Sequence, residues 1–298
     1  MKIDRDAPIG VFDSGVGGLT VAREIMRNLP SEKIVYFGDT ARVPYGSKSK
    51  DTVIRYSRQI IHFLEEQQVK AIVIACNTAS AFALDAVKDE LDIPILGVIE
   101  AGARVAAHET RNKRVGIIGT VGTVGSGIHA SYLKELDPEI TVIGTLGTVG
   151  SGIHEAYLKQ LDPEITVIGK ACPLFVPLVE EGWLHDPVTT EIVSRYLQEL
   201  KDKEIDTLIL GCTHYPLIRS TIREVMGEGV RLVNPAYETA LQLKALLAEM
   251  DISSSGTGEE DFPYRFYVSD LADEFKDFAN SILPYDVSMA KKIDIEKY

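Results

Sequence analysis

Short, nearly unbroken apolar runs rich in Val and Ile alternate along this chain with longer amphipathic stretches, and no other feature limits the fold as tightly. Strands are predicted at residues 9–12, 34–37, 71–74, 95–98, 115–118, 207–210 and 230–233. A strand that faces water on one side alternates apolar with polar residues. A run without polar breaks is buried on both faces, as in a parallel sheet covered by helices. Strands and helices in alternation form βαβ units, so the pattern predicts an α/β fold built on mostly parallel sheets. In open parallel sheets ligands bind beyond the carboxyl ends of the strands, and the loops there are where chemistry should be sought.

Two internal similarities refine this picture. The first is distant: AIVIACNTASAFALDAVKDELDIPILGV, starting at Ala71, parallels TLILGCTHYPLIRSTIREVMGEGVRLV, starting at Thr207. Each reads strand, Cys, Asn/Thr-rich turn, helix, strand. Two unrelated strand–helix–strand units have no reason to carry a cysteine at corresponding points. The parallel therefore indicates a duplicated half-structure, with Cys76 in one half and Cys212 in the other. The second similarity is nearly literal. Residues 122–144, GTVGSGIHASYLKELDPEITVIG, recur as residues 147–169 with an offset of 25 positions and three differences. Solenoid repeats need three or more units to bury a continuous core. Two copies inside an α/β chain read instead as a local tandem duplication of a helix and a strand, which either extends a sheet edge or loops out.

The predicted organisation is a first α/β domain from residues 1–100 and 234–298, and a second from residues 101–233 that contains the repeat. From Asp251, DISSSGTGEED predicts a surface loop, followed by a strand in PYRFYVSD and an amphipathic helix in LADEFKDFANSIL. The closing SMAKKIDIEKY predicts a loosely held terminus.

Composition narrows the function. No run approaches the ~18 apolar residues of a membrane span, and the first ten residues lack the apolar core of a secretory signal. The net charge of −13 argues against nucleic acid or an anionic membrane as partner. Three cysteines suit reduced thiols in a cytoplasmic setting better than a disulfide framework.

Cys76 follows a buried strand and precedes a helix predicted from near Ser80. There the helix dipole and unpaired N–H groups favour an anion, so a thiolate is accessible near neutrality. Cys212 is predicted in the same setting, with Pro216 near the start of its helix. Cys172, in the apolar KACPLF, reads as packing. His214 is placed to serve Cys212 as a base partner or to meet a carboxylate, although a lone histidine is more often structural. In IGVFDSGVGGLT, Asp13 and Ser14 end a strand ahead of a glycine-rich turn that fits neither a dinucleotide nor a P-loop spacing. Asp13 is readable as a carboxylate beside the thiol or as a helix N-cap. ARVPYGSKS reads only as a loop at the functional edge.

DSGVGGLT, GDTARVPYG, ACNTAS, ACPLFVPLVEEGW and LGCTHYPLIR, in this order, resemble the glutamate racemase family from about Pro8 to about Ile282, interrupted mainly by the repeat. The resemblance implies two pseudo-symmetric α/β domains with the active site in the cleft between them. It implies catalytic Cys76 and Cys212, aided by Asp13 on one side and by Glu180 with His214 on the other; Glu181 adjoins Glu180 and is easily confused with it. Substrate-binding pairs map onto Asp13–Ser14, Tyr45–Gly46, Asn77–Thr78 and Thr213–His214. The family's threonine turn occurs twice, as Thr120/Thr123 and Thr145/Thr148, and the first copy is preferred because it continues the strand at 115–118. The implied ligand is L- or D-glutamate, with no cofactor and no metal, in a cytoplasmic and usually dimeric bacterial enzyme that supplies peptidoglycan synthesis.

The implied reaction removes and returns a barely acidic proton at Cα. The chain has no recognisable pyridoxal-lysine motif or metal-ligand cluster to act as an electron sink. Two bases on opposite faces of a planar intermediate would solve the stereochemistry, and a thiol–thiolate pair suits neutral pH. The rival readings are a racemase for a related amino acid such as aspartate, a non-catalytic thiol or metal-binding protein, and an enzyme disabled by its duplication.

Overall fold

The apolar runs become strands because each has a core on both faces. In β1 (Ile9–Asp13), Ile9 and Val11 enter one core while Phe12 enters another. In β2 (Ile34–Gly38), Ile34 and Tyr36 share the first core, and Val35 and Phe37 the second. In β3 (Ala71–Ile74), Ala71 and Val73 again oppose Ile72 and Ile74. Successive side chains of a strand point to opposite faces, so two covered faces demand an apolar residue at every step. Ile9, Val11 and Phe12 are fully shielded from solvent, and truncating any one of them to Ala would cost about 2–5 kcal/mol.

The computed structural model describes residues 3–136, 141–143, 169–256 and 264–298. They form two units, Met1–Val98 with Ala236–Tyr298, and Ile99–Pro235. The first holds a six-stranded sheet in the order β11–β10–β2–β1–β3–β4, where β4 is Ile95–Gly97, β10 is Tyr264–Val268 and β11 is Ala290–Lys292. The second centres on β5 (Arg114–Gly119), flanked by β8 (Thr207–Gly211), beyond which lies β9 (Arg231–Val233). All pairings in both sheets are parallel, and helices connect the strands. The predicted α/β class with two parallel sheets flanked by helices is the observed one.

The other edge of β5 carries two short strands. β6 (Thr141–Ile143) pairs with Arg114–Gly116, and β7 (Gly169–Ala171) pairs with Ile117–Gly119. Two pieces of chain on either side of residues 144–168 therefore share one edge. Residues 147–168 of the second copy, and Thr145 and Thr148 with them, lie outside the described residues.

Three local expectations are corrected. Val98 begins the helix Val98–Glu109 instead of ending β4. The segment after Cys212 is first a 3₁₀ turn, Tyr215–Ile218, and the α-helix starts only at Arg219. The chain's end is not loose: β11 pairs with β10, Ile295 is 4% exposed, and the Tyr298 ring meets Phe63 edge-on at 5.5 Å.

Candidate active site

In the first unit, the end of β1 and the end of β3 lie side by side, since Phe12 pairs with Ile74 and the Ala75 N–H donates to the Phe12 carbonyl at 2.7 Å. That register sets Asp13 beside the residues that lead into Cys76. Cys76 is the N-cap of the helix Asn77–Val87, and its Sγ accepts from the Ala79 N–H at 3.4 Å. The thiol also lies 3.5 Å from Ser14 Oγ. Asp13, 1% exposed, accepts the Gly15 N–H on Oδ2 at 3.0 Å. Gly18 permits this packing, because a Cβ there would stand 2.5 Å from Asp13 Cβ and 2.9 Å from Ala75 Cβ.

Asn77 and Thr78 open the helix, both buried. The Asn77 amide, 4% exposed, has no hydrogen-bond partner on either its oxygen or its nitrogen among the described residues. A buried amide with nothing to bond costs about 1–3 kcal/mol, a cost that a polar ligand at this position would remove. Tyr45, in the 3₁₀ turn Tyr45–Ser47, belongs to the same core as Cys76, and Gly46 is half-buried beside it. The Tyr45 hydroxyl donates to Asp39, and burial followed by the Asp39 charge holds its pKa well above the usual phenol range.

In the second unit, Gly119 pairs with Gly211, which aligns the ends of β5 and β8. A Cβ on Gly211 would sit 2.7 Å from the Ile118 carbonyl oxygen, so the backbones meet closely where the chain turns out to Cys212. Cys212 Sγ lies 3.8 Å from His214 Nδ1, and His214 Nε2 lies 3.0 Å from Glu180 Oε1. Both Cys212 and His214 are buried, while the Glu180 side chain is 47% exposed. Burial alone would lower the His214 pKa. The hydrogen bonds and charges of Cys212 and Glu180 outweigh it and push the pKa up to about 10, so the ring is an imidazolium at neutral pH. Thr213, between Cys212 and His214 in the chain, is buried as well.

Thr120 caps the short helix Val121–Gly125, accepting the Thr123 N–H at 3.2 Å, and the two hydroxyls lie 3.0 Å apart. They follow β5 directly, next to the β8 end that carries Cys212. Glu180 ends the helix Phe175–Glu180, whereas Glu181 is only its C-cap. Cys172 is fully buried, and burial raises its thiol pKa far out of the working range.

Each unit therefore gathers its own candidates: Asp13, Ser14, Tyr45, Gly46, Cys76, Asn77 and Thr78 in the first, and Thr120, Thr123, Glu180, Cys212, Thr213 and His214 in the second. Asp39 and Arg42 were missed by sequence reasoning. Their signal was a charged pair three residues apart directly after an apolar strand, inside the GDTARVPYG motif. Among the described residues, no group of three or more His, Cys, Asp or Glu side chains is placed to hold a metal ion.

Comparison with known proteins shows the family. The model of the Asp/Glu/Hydantoin racemase family matches residues 9–140 and 130–243, two stretches that overlap within the first repeat copy. A glutamate racemase from Geobacter metallireducens is 43% identical over 290 residues, covering 97% of each chain. The structure of glutamate racemase isoform RacE1 from Bacillus anthracis superposes with a TM-score of 0.82 at 37% identity, over 97% of this chain and 98% of that one. Glutamate racemase from Francisella tularensis, in complex with D-glutamate, gives a TM-score of 0.83 at 34% identity, over 99% of this chain and all of the other. With the fold, the order of the motifs and the full-length identity in agreement, the chain belongs to the Asp/Glu/Hydantoin racemase family.

Proposed function

We propose that this protein interconverts L- and D-glutamate by exchanging the Cα proton between two thiols, Cys76 and Cys212, without an organic cofactor. The observation that carries the reading is that each unit holds one buried cysteine at a strand's carboxyl end, with its own proton-handling neighbours. These are Ser14 at the Cys76 sulfur with the buried Asp13 preceding it at the end of β1, and His214 with Glu180 around Cys212. Full-length identity to glutamate racemases, one solved with D-glutamate, supports glutamate as the substrate.

The chemistry asks that one sulfur, as thiolate, remove the proton from one face of Cα while the other, as thiol, returns one to the opposite face. A charged His214 can hand a proton to Sγ of Cys212 or hold that sulfur as an anion, and Glu180 keeps the ring oriented. On the other side, the N-cap position supplies N–H groups and the helix dipole to a Cys76 anion. The substrate carboxylates would meet backbone N–H groups and the polar side chains of Ser14, Asn77, Thr78 and Thr213, with Thr120 and Thr123 lining the second unit's share. This is how an acidic chain can take an acidic ligand: local dipoles act at contact range, whereas distant charges are screened beyond ~8–10 Å. The same reading makes the protein a cytoplasmic, dimeric bacterial enzyme that supplies D-glutamate to the cell wall.

Circular dichroism of L- and D-glutamate solutions tests it. Both should decay to the same optically silent mixture without added cofactor, and aspartate should be slower by about 10–200-fold, the discrimination one methylene allows. An unchanged signal, or a preference for aspartate, would refute the assignment.

A further inference from the structure

We propose that Asp39 is the positioning residue that fixes the Tyr45–Gly46 turn beside Cys76, with the tyrosine hydroxyl holding the turn in place instead of meeting the ligand. The inference rests on the proposed function only in taking residues 45–46 as a substrate contact. Asp39 follows β2 directly and is fully buried. Its carboxylate is filled by the protein itself. Oδ1 accepts from Ser269 Oγ at 2.9 Å and Arg42 Nε at 3.0 Å, while Oδ2 accepts from Arg42 Nε at 2.7 Å and from the Tyr45 hydroxyl. Its backbone N–H donates to the Asp13 carbonyl at 3.0 Å. One residue thus braces both loops that flank Cys76, and its carboxylate is already engaged on both oxygens.

The rest of the network holds Asp39 in turn. Arg42 lies 4.0 Å over the Tyr56 ring and donates through Nη1 to Gln59 at 2.6 Å and to Glu296 at 3.1 Å. Ser269, just after β10, accepts the Ala41 N–H at 2.8 Å. The last residues of the chain are thereby linked to the turn at Tyr45. A Tyr45 hydroxyl that donates its proton to a buried carboxylate has none left to give a substrate carboxylate.

The test is steady-state racemisation by Asp39→Asn, Tyr45→Phe and the double variant. Asp39→Asn should raise KM about tenfold with kcat within about threefold, the scale of one lost hydrogen bond to a charged group. Tyr45→Phe should raise KM less, and the double variant should be no worse than Asp39→Asn alone, because both single changes cut one link. An unchanged KM in Asp39→Asn, a loss of kcat alone, or additive effects in the double variant would overturn the inference. If Asp39→Asn does not fold, Tyr45→Phe decides alone, and a wild-type KM overturns it. Wild-type turnover is measured first: if another amino acid is the substrate, the glutamate assignment fails and the KM comparison is made on that substrate. If no amino acid is turned over, binding of D-glutamate by calorimetry replaces KM, and absence of binding removes both readings.

A separate observation carries a second inference, that one 25-residue period of the repeat is surplus to the fold. On β5, Gly116 pairs with Ile143 and the very next residue, Ile117, pairs with Gly169. Residue 169 thus takes the register position that Gly144, its counterpart in the first copy, would occupy. Since a slip of one residue would turn every side chain to the other face, this continuity sets a strict condition that one whole period satisfies. Deleting residues 144–168 joins ITVI to GKAC and leaves one strand able to pair with all of β5 in the same register. The deletion variant should unfold cooperatively at or above the midpoint of the full chain, because a connection has been shortened, and should keep kcat within about threefold. Loss of cooperative unfolding or of activity would overturn it.

Discussion

The two thiols end equivalent strands but are managed by different means. Cys76 caps an α-helix, and its sulfur meets a backbone N–H of that helix and the Ser14 hydroxyl. Cys212 is followed by a 3₁₀ turn, and its partner is a titratable side chain, a charged His214 backed by Glu180. At Cys76 the sulfur is met by a helix N–H and a hydroxyl, which do not titrate near neutrality, and at Cys212 it is met by a relay whose state depends on pH. The lesson is that topology fixes where a reactive group stands, while local turn chemistry decides how its proton is held.

The largest effect should come from removing either sulfur. Cys76→Ser and Cys212→Ser should each lower racemisation by about 10³-fold or more, while each variant retains proton chemistry on one enantiomer. Full activity in either would break the comparison at its root. His214→Asn should cost about 10²-fold. The two enantiomers are equal in free energy, so kcat/KM must fall equally in both directions. The asymmetry between the thiols should appear in the separate kcat values and in the Cα deuterium isotope effects. Equal isotope effects from both enantiomers in this variant would mean the relay is not specific to Cys212.

The pH dependence sharpens the contrast. The folded His214 pKa of about 10 exceeds the ordinary value of 6.5, so the folded state holds a proton that the unfolded state releases. This contribution to stability is complete below about pH 6.5 and is lost as pH rises through about 10. Chemical unfolding of wild type against His214→Asn should show an advantage of a few kcal/mol that shrinks over that window. A second histidine of the same unit runs the other way. His129, 2% exposed, has no partner on either ring nitrogen among the described residues, and burial lowers its pKa to about 4. Its unfolded form takes up a proton first, so stability falls as pH drops from about 6.5 to 4. His129→Phe should remove that loss and add about 1 kcal/mol at neutral pH. The smallest effect should be that of Glu180→Gln, about threefold in kcat, because its carboxylate is half exposed and such pairs are weak.

Much of this was legible in the sequence, for identifiable reasons. β1, β2 and β3 are covered on both faces, so their burial wrote itself as unbroken apolar runs. Cys76 and Cys212 stood out because strand ends carry chemistry in such sheets. The helix expected after Cys212 failed locally, since Pro216 sits inside a tighter turn that no apolar period announces. β11 was missed because an edge strand needs only main-chain pairing, and Ala290–Lys292 buries little. The Asp39 network depends on Ser269 and Glu296, more than 200 residues away, which no local pattern connects.

The claim that two sulfurs serve opposite faces of one carbon is tested most directly by racemisation in deuterated water, followed from each pure enantiomer at early times. The account predicts that the newly formed enantiomer carries deuterium at Cα while the remaining starting enantiomer stays protonated, from either direction. Deuterium entering the starting enantiomer as fast as the product, as a single shared base would cause, would contradict it.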